Sequence, residues 1–415
     1  MFLLASLLCL LGTIICSAAE TYHTLLAGRI LEGAGFAAYE SLSFTTVGDL
    51  FYVHERGLWT SVISFTLTAV SNLSSVIAGP ITFELGWHYL FYILTASVGF
   101  QLLLAFLFVP ETSYLRDPRF NQHLVVDAPS EAGTDNGSKE ADVSNIENVD
   151  PEPVGASPPA KKTFWQELAV FTGSYSEESL LPLIFAPVLC WSNIYAFWTI
   201  IVTGTVTSFY VAISYIIAQL FSPPPYLLST AEIGYMSLGP FVGGAVGTIL
   251  LALWMDPISI WMAKRNQGVY EPEFRLVLVI FGLLCPAGLF GFGAVAQAKG
   301  NVYLVAFMWG LALAGIAFVV GPCSAYAIDA FRGMSNEIFV SNVMFKNFLF
   351  YGYSYFMNSW VADAGAAGPF YIFGGISAGL VATTIIAYMF GKRYRGYWNR
   401  NNLMEKMNIR THPEW

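Results

Sequence analysis

The stretch Gly28–Gly57, GRILEGAGFAAYESLSFTTVGDLFYVHERG, is mostly apolar or small, yet it carries Arg29, Glu32 and Glu40. A helix of about 20 mostly apolar residues crosses a bilayer, so the stretch is long enough to do so. A charge near the bilayer centre costs roughly 2.5–3.5 kcal/mol on insertion scales, which is tolerated only where the side chain has somewhere polar to go. At about 100° per residue, Glu40 falls almost three whole turns beyond Arg29, and the two share a face. Glu32 is one turn from Arg29 and flanks that face. Gly33, Gly35, Ala37 and Ala38 are small enough to let a neighbouring helix approach closely. The stretch therefore reads as a transmembrane helix that turns a charged stripe onto a pathway. The plainer alternative is that Arg29 and Glu32 only neutralise each other near a helix end.

Working outward, the 415-residue chain is 55% hydrophobic and only 11% charged, where a soluble domain carries about 25% charged residues. Long apolar runs recur from end to end, which implies a polytopic, all-α membrane protein. Ten such segments are expected, at roughly 2–18, 24–49, 58–82, 87–109, 184–221, 231–255, 276–297, 302–327, 335–360 and 367–391. The fifth is too long for one span, and its end near Phe221-Ser-Pro-Pro-Pro-Tyr226 is expected to bend or leave the membrane. Residues 1–18 read as a retained helix; a cleavable signal peptide would want a positive start, which is missing.

Lysines and arginines alternate with this count. Sixteen of the nineteen fall after the second, fourth, sixth, eighth and tenth segments, on one side of the membrane. Arg29 and Lys346 lie inside spans, and only Lys299 lies opposite. By the positive-inside tendency, both termini are expected in the cytoplasm. No basic surface suggests nucleic acid. The five cysteines all sit in apolar runs with no metal-ligand spacing, so neither a metal nor a disulfide framework is expected.

The segments imply four parts: a partial N-terminal bundle of four spans (1–109), a linker (110–182), a six-helix C-terminal bundle (183–391) and a basic cytosolic tail (392–415). Asp127–Pro159 carries eight acids against Lys139 alone, and such a segment cannot bury enough apolar surface to order itself.

Further candidates lie in the second half. Trp191, Tyr195 and Trp198 are spaced for one helical face and either stack a flat or cationic substrate or form an interfacial belt. Gly239, Gly243 and Gly247 make a doubled small-xxx-small face for tight packing. Asp256 closes the sixth segment; with Arg265 and Arg275 it is expected to form a cytosolic gate, with Asp256 and Arg275 as the ion pair. Lys346, eleven residues into the ninth segment, is too deep to snorkel and should face the bundle interior.

These residues resemble a known family. Gly28-Arg-Ile-Leu-Glu-Gly-Ala-Gly-Phe-Ala is similar to the fourth-helix arginine motif of the major facilitator superfamily. Ala78-Gly-Pro-Ile-Thr, followed by Leu85-Gly-Trp-His-Tyr-Leu-Phe-Tyr92, resembles its antiporter Gly-Pro motif, here Gly79-Pro80. Ser75 departs from that pattern where a glycine is expected, as do Phe83 and Glu84. Val109-Pro-Glu-Thr-Ser-Tyr, Arg265-Asn-Gln-Gly with Glu271-Pro-Glu-Phe-Arg-Leu276, Tyr326-Ala-Ile-Asp-Ala and Phe345-Lys-Asn look like fungal members. The resemblance covers nearly all of the chain outside the linker and tail.

The resemblance implies a major-facilitator-like bundle of about ten helices, four plus six, in place of twelve, starting at the family's third helix. It implies a secondary transporter of the fungal drug:proton antiporter type, moving a small organic solute such as a drug or polyamine by alternating access. On this reading Arg29 holds and tunes Glu40, which titrates, while Gly79-Pro80 loosens its helix. A multi-pass plasma-membrane monomer without cofactor is expected, coupled to protons and not an enzyme. The competing expectation is a truncated, non-transporting protein acting as a membrane sensor or scaffold.

Overall fold

The computed structural model describes residues 2–50, 59, 62–63, 65–108, 180–331 and 334–401. Among these residues the chain is helical throughout, in rods that follow the apolar runs. The N-terminal half comprises α1 (Phe2–Ser17), α2 (Tyr22–Leu50), α3 (Ser71–Glu84, continuing a π-helical turn over Thr66–Val70) and α4 (Trp87–Phe108). The C-terminal half comprises α5 (Leu180–Leu189), α6 (Ile194–Phe221), α7 (Thr230–Met236), α8 (Leu238–Arg265), α9 (Leu284–Gln297), α10 (Val302–Ala330), α11 (Ser335–Ala364) and α12 (Ala367–Arg400). A 3₁₀ stretch, Pro272–Leu283, leads into α9. Because α5 runs into α6 and α7 into α8, the described residues form ten rods, in register with the ten segments expected. Most of the linker, and the tail beyond Asn401, lie outside the described residues.

Six of the rods are long and apolar enough to cross a membrane on length and composition. They do not include α2 or α11, the two rods that carry Arg29, Glu32, Glu40 and Lys346.

Local sequence explains three departures from the expected boundaries. The fifth segment breaks earlier than expected, over Cys190–Ser192, because Asn193 caps α6: its side chain accepts from the backbone N–H of Tyr195 and Ala196. An Asn N-cap satisfies amides that the first helical turn leaves without partners. The prolines at 223–225 simply follow the end of α6. The sixth segment does not stop at Asp256, since α8 runs through Pro257 to Arg265. A proline inside a membrane helix is tolerated when surrounding groups take up the freed carbonyl. The last helix continues past residue 391 to Arg400, held by Tyr394, whose ring lies 4.8 Å from that of Tyr195.

Close backbone approach sets the packing. A Cβ at Gly247 would lie 2.7 Å from Ala314 Cα, and Cβ atoms at Gly239 and Gly243 would strike the backbone of Ala306 and Gly310. The expected glycine face of α8 is therefore seated against α10. In the N-terminal half, Gly35 meets Ala5 and Cys9 of α1, but Gly33 has open space around its Cα. Gly79 closes on the other half: its Cβ would sit 3.0 Å from Gly234 Cα of α7. The halves also meet between α2 and α11.

Candidate functional site

A cavity of about 610 Å³ opens in the N-terminal half, lined chiefly by α1, α2 and α4. Arg29, Glu32, Gly33 and Glu40 all line it, together with Phe36 and Tyr39 of the same helix. Serine, threonine and glutamine side chains (Ser6, Thr13, Ser43, Gln101) provide further polar lining, while Leu67, Leu94 and Val98 provide apolar wall. The residues of the opening stretch that looked out of place in a membrane are thus the ones facing this space. The face shared by Arg29 and Glu40 is real, but the two do not pair.

Arg29 pairs instead with Glu32, at 3.1 Å along one helical turn. Its guanidinium lies 4.9 Å from the centroid of the Phe91 ring, a cation–π arrangement. With 53% of its side chain exposed, Arg29 stays reachable from the cavity. Cys9 turns its thiol toward the Glu32 carbonyl, 3.5 Å away, and the Ser6 and Tyr39 hydroxyls bond to each other across α1 and α2.

Glu40 takes its counter-ion from the other half of the molecule. Lys346 of α11 donates from Nζ to Glu40 Oε1, with side chains 13% and 11% exposed. The ammonium also lies 5.9 Å from the Phe350 ring centroid. Taken singly, each charge is expensive inside a bundle; together, out of water, they attract strongly. The pair joins α2 to α11, so one carboxylate edges the cavity and also ties the two halves.

The charges expected to form a gate in the second half assemble differently from the expected pairing. Arg275 Nε lies 2.8 Å from Asp329 Oδ2, and Tyr270 bridges them, accepting from Arg275 and donating to Asp329, each at 2.7 Å. Desolvation, then the Asp329 carboxylate, push the Tyr270 phenol up from its ordinary value, while Arg275 opposes them. Asp256, displaced along α8 by the helix's continuation, acts on Arg275 only at longer electrostatic range. Arg265 stacks on Trp261 of its own helix, 4.3 Å from the ring centroid. Two further ion pairs involve residues neighbouring Tyr270 and Arg275 in sequence: Lys392 with Glu271, and Arg395 Nη2 with Glu273 Oε2 at 3.1 Å. They were missed because their partners are more than a hundred residues apart in sequence.

The aromatic stripe does not form as expected. Asn193 ends the preceding turn, so Trp191 sits before α6 and off its face. Tyr195 is buried against Tyr394, and Trp198 Nε1 donates to Thr383 Oγ1 at 2.8 Å. Both pack on α12, and none of the three lines the cavity.

The sequence profile of the Major Facilitator Superfamily matches residues 1–345. The chain belongs to the Major Facilitator Superfamily. An uncharacterized MFS-type transporter of Schizosaccharomyces pombe is 23% identical, over 99% of this chain and 75% of its own length. A probable drug/proton antiporter of Saccharomyces cerevisiae is 23% identical, over 91% of this chain and 67% of its own length. Among solved structures, a D-xylose–proton symporter superposes with a TM-score of 0.57 at 16% identity, covering 92% of this chain and 79% of its own. That likeness establishes the fold. The superfamily assignment makes this a multi-pass integral membrane protein of a transporter family, not of an enzyme family. The two halves described above meet where α2 and α11 are in contact.

Proposed function

We propose that the chain is a proton-coupled secondary transporter of a small organic cation, a drug-like amine or polyamine, working by alternating access. The observation that carries this reading is the ion pair of Lys346 and Glu40. A carboxylate that both edges a cavity and clasps the opposite half couples chemistry in the cavity to the fit between halves. Protonating Glu40 removes its charge, frees Lys346 and loosens the α2–α11 seam. Deprotonation restores the clasp. The first half (1–109) and the second (183–391) then act as the two rocking bodies, linked through residues 110–182.

The lining of the cavity supports this choice of substrate class. Lys346 reaches Glu40 from outside the set of lining residues. A solute in the cavity can therefore compete with Lys346 for the carboxylate, and the group suited to that is a cation. Phe36 and Tyr39 supply aromatic faces beside it. Arg29, already neutralised by Glu32, positions that wall instead of attracting an anion. The Saccharomyces relative, a probable drug/proton antiporter, is in keeping with this reading. The Arg275–Tyr270–Asp329 triad serves as a cytosolic latch of the second half. An orientation with both termini cytoplasmic fits the lysine and arginine distribution.

The test is proton movement in vesicles reconstituted with the protein and loaded with a pH-sensitive dye. Adding spermidine or tetraphenylphosphonium to one side of an imposed pH gradient should change lumen pH with the wild type. It should not do so with Glu40→Gln. Undiminished cation-driven proton movement in that variant would overturn the assignment.

A further inference from the structure

The last turns of α12 carry four cations, Lys392, Arg393, Arg395 and Arg400, and the structure sorts them by face. Lys392 and Arg395 are taken by Glu271 and Glu273. Arg393 and Arg400 are exposed, and among the described residues neither forms an ion pair; Arg400 Nε donates to Gly396 O of its own helix at 3.2 Å. At about 100° per residue, Arg393, Tyr397 and Arg400 fall within roughly 60° of one another, and Arg395 falls on the opposite side. Tyr397, between the two arginines, is 59% exposed. The helix thus shows one basic, aromatic face away from the protein.

Length places that face at the membrane surface. α12 has 34 residues, a rod of roughly 50 Å at 1.5 Å per residue. The hydrocarbon core is only about 30 Å thick. The turns after Gly391 therefore stand at headgroup level, where an outward-facing Tyr is at home. A guanidinium forks two hydrogen bonds onto a phosphate, and two guanidiniums about two turns apart can grip a single headgroup or a neighbouring pair.

We propose that Arg393, Tyr397 and Arg400 form a binding site for the headgroup of an anionic phospholipid. The two arginines hold the phosphate and Tyr397 donates to it from between them. The site is independent of the cavity: it lies on the other half of the molecule and on a helix that does not line that space.

The test uses the full-length protein in mild detergent, with phosphatidylglycerol or phosphatidylcholine titrated in, read by native mass spectrometry and thermal melting. An arginine near an anionic surface is worth about fivefold in affinity. The double variant Arg393→Gln/Arg400→Gln should then bind phosphatidylglycerol roughly 10–30-fold more weakly. Its phosphatidylcholine binding and its melting temperature in phosphatidylcholine should stay as in the wild type, which confirms that it is folded. Lys264→Gln, an exposed cation elsewhere, should leave phosphatidylglycerol binding unchanged. Equal phosphatidylglycerol affinity in wild type and double variant would overturn the proposal. So would equal stabilisation of the wild type by inorganic phosphate. A sharp rise in wild-type phosphatidylglycerol affinity on deleting residues 127–159 would assign the face to that acidic segment instead, and would equally overturn it.

Discussion

Lys346 of α11 donates to the carboxylate of Glu40 on α2, across the seam between the two halves. The two residues are 306 positions apart in sequence, and both side chains are almost nine-tenths buried. A buried pair loses far more when one partner is removed than when both are, because the survivor is left as an uncompensated charge. Either Glu40→Leu or Lys346→Met should cost about 3–5 kcal/mol. The double variant should recover most of that loss. Chemical or thermal unfolding of the four proteins gives the cycle directly, and additive costs would mean that the two side chains do not interact.

Arg29 should behave differently. It is half exposed and pairs only along its own helix, and such pairs contribute about 0.2–0.5 kcal/mol. Arg29→Gln should therefore leave the melting temperature nearly unchanged while altering the apparent KM for whichever amine drives proton movement, since it reshapes the cavity wall beside Phe91. A large stability loss with an unaltered KM would place Arg29 in the scaffold.

The glycines separate into two kinds, and substitution should tell them apart. Gly243→Ala drives a Cβ into the backbone of Gly310, where no side chain can swing aside. Overpacking of this sort costs roughly 1–3 kcal/mol. Gly33→Ala meets nothing within 4 Å and should stabilise the helix by about 0.5–1 kcal/mol while trimming the cavity. Melting of the two variants side by side checks the contrast.

Much of this was legible in the sequence, for physical reasons that differ by feature. Most helices were visible as apolar runs, six of them long and apolar enough to cross lipid. The α8 glycines were visible because close packing needs small side chains at a spacing of four. The charged face of α2 was visible because lipid penalises it. Pairing was not visible. Arg29 and Glu40 share a face, but proximity along a face does not decide partners when Glu32 is one turn away and a lysine arrives from another helix. Arg275 pairs with Asp329, 54 positions away, with Tyr270 bridging the two, a partnership no local spacing announces. The stripe of Trp191, Tyr195 and Trp198 failed for a single reason: Asn193, an N-cap in the middle of an apolar run, interrupts the helical register.

The Tyr270 bridge between Arg275 and Asp329 carries a pH signature. Its phenol is pushed up by desolvation and by Asp329, so it remains a donor at physiological pH. A raised tyrosine contributes stability that is fully present below the unfolded value of about 10 and is lost as pH rises toward the folded one. The stability difference between wild type and Tyr270→Phe should be flat from about pH 6 to 9 and shrink only above about 10. A difference that already shrinks near neutrality would contradict the geometry of this bridge.

The most direct test of the account is the distance between the halves as Glu40 gains its proton. Spin labels on α2 and α11, read by double electron–electron resonance in nanodiscs, report the seam without requiring a known substrate. The wild type should shift from a short-distance to a longer-distance population as pH falls, and Glu40→Gln should hold the longer-distance population at every pH. A wild-type distribution that ignores pH, or a Glu40→Gln variant that still follows it, would contradict a clasp made and broken at Glu40.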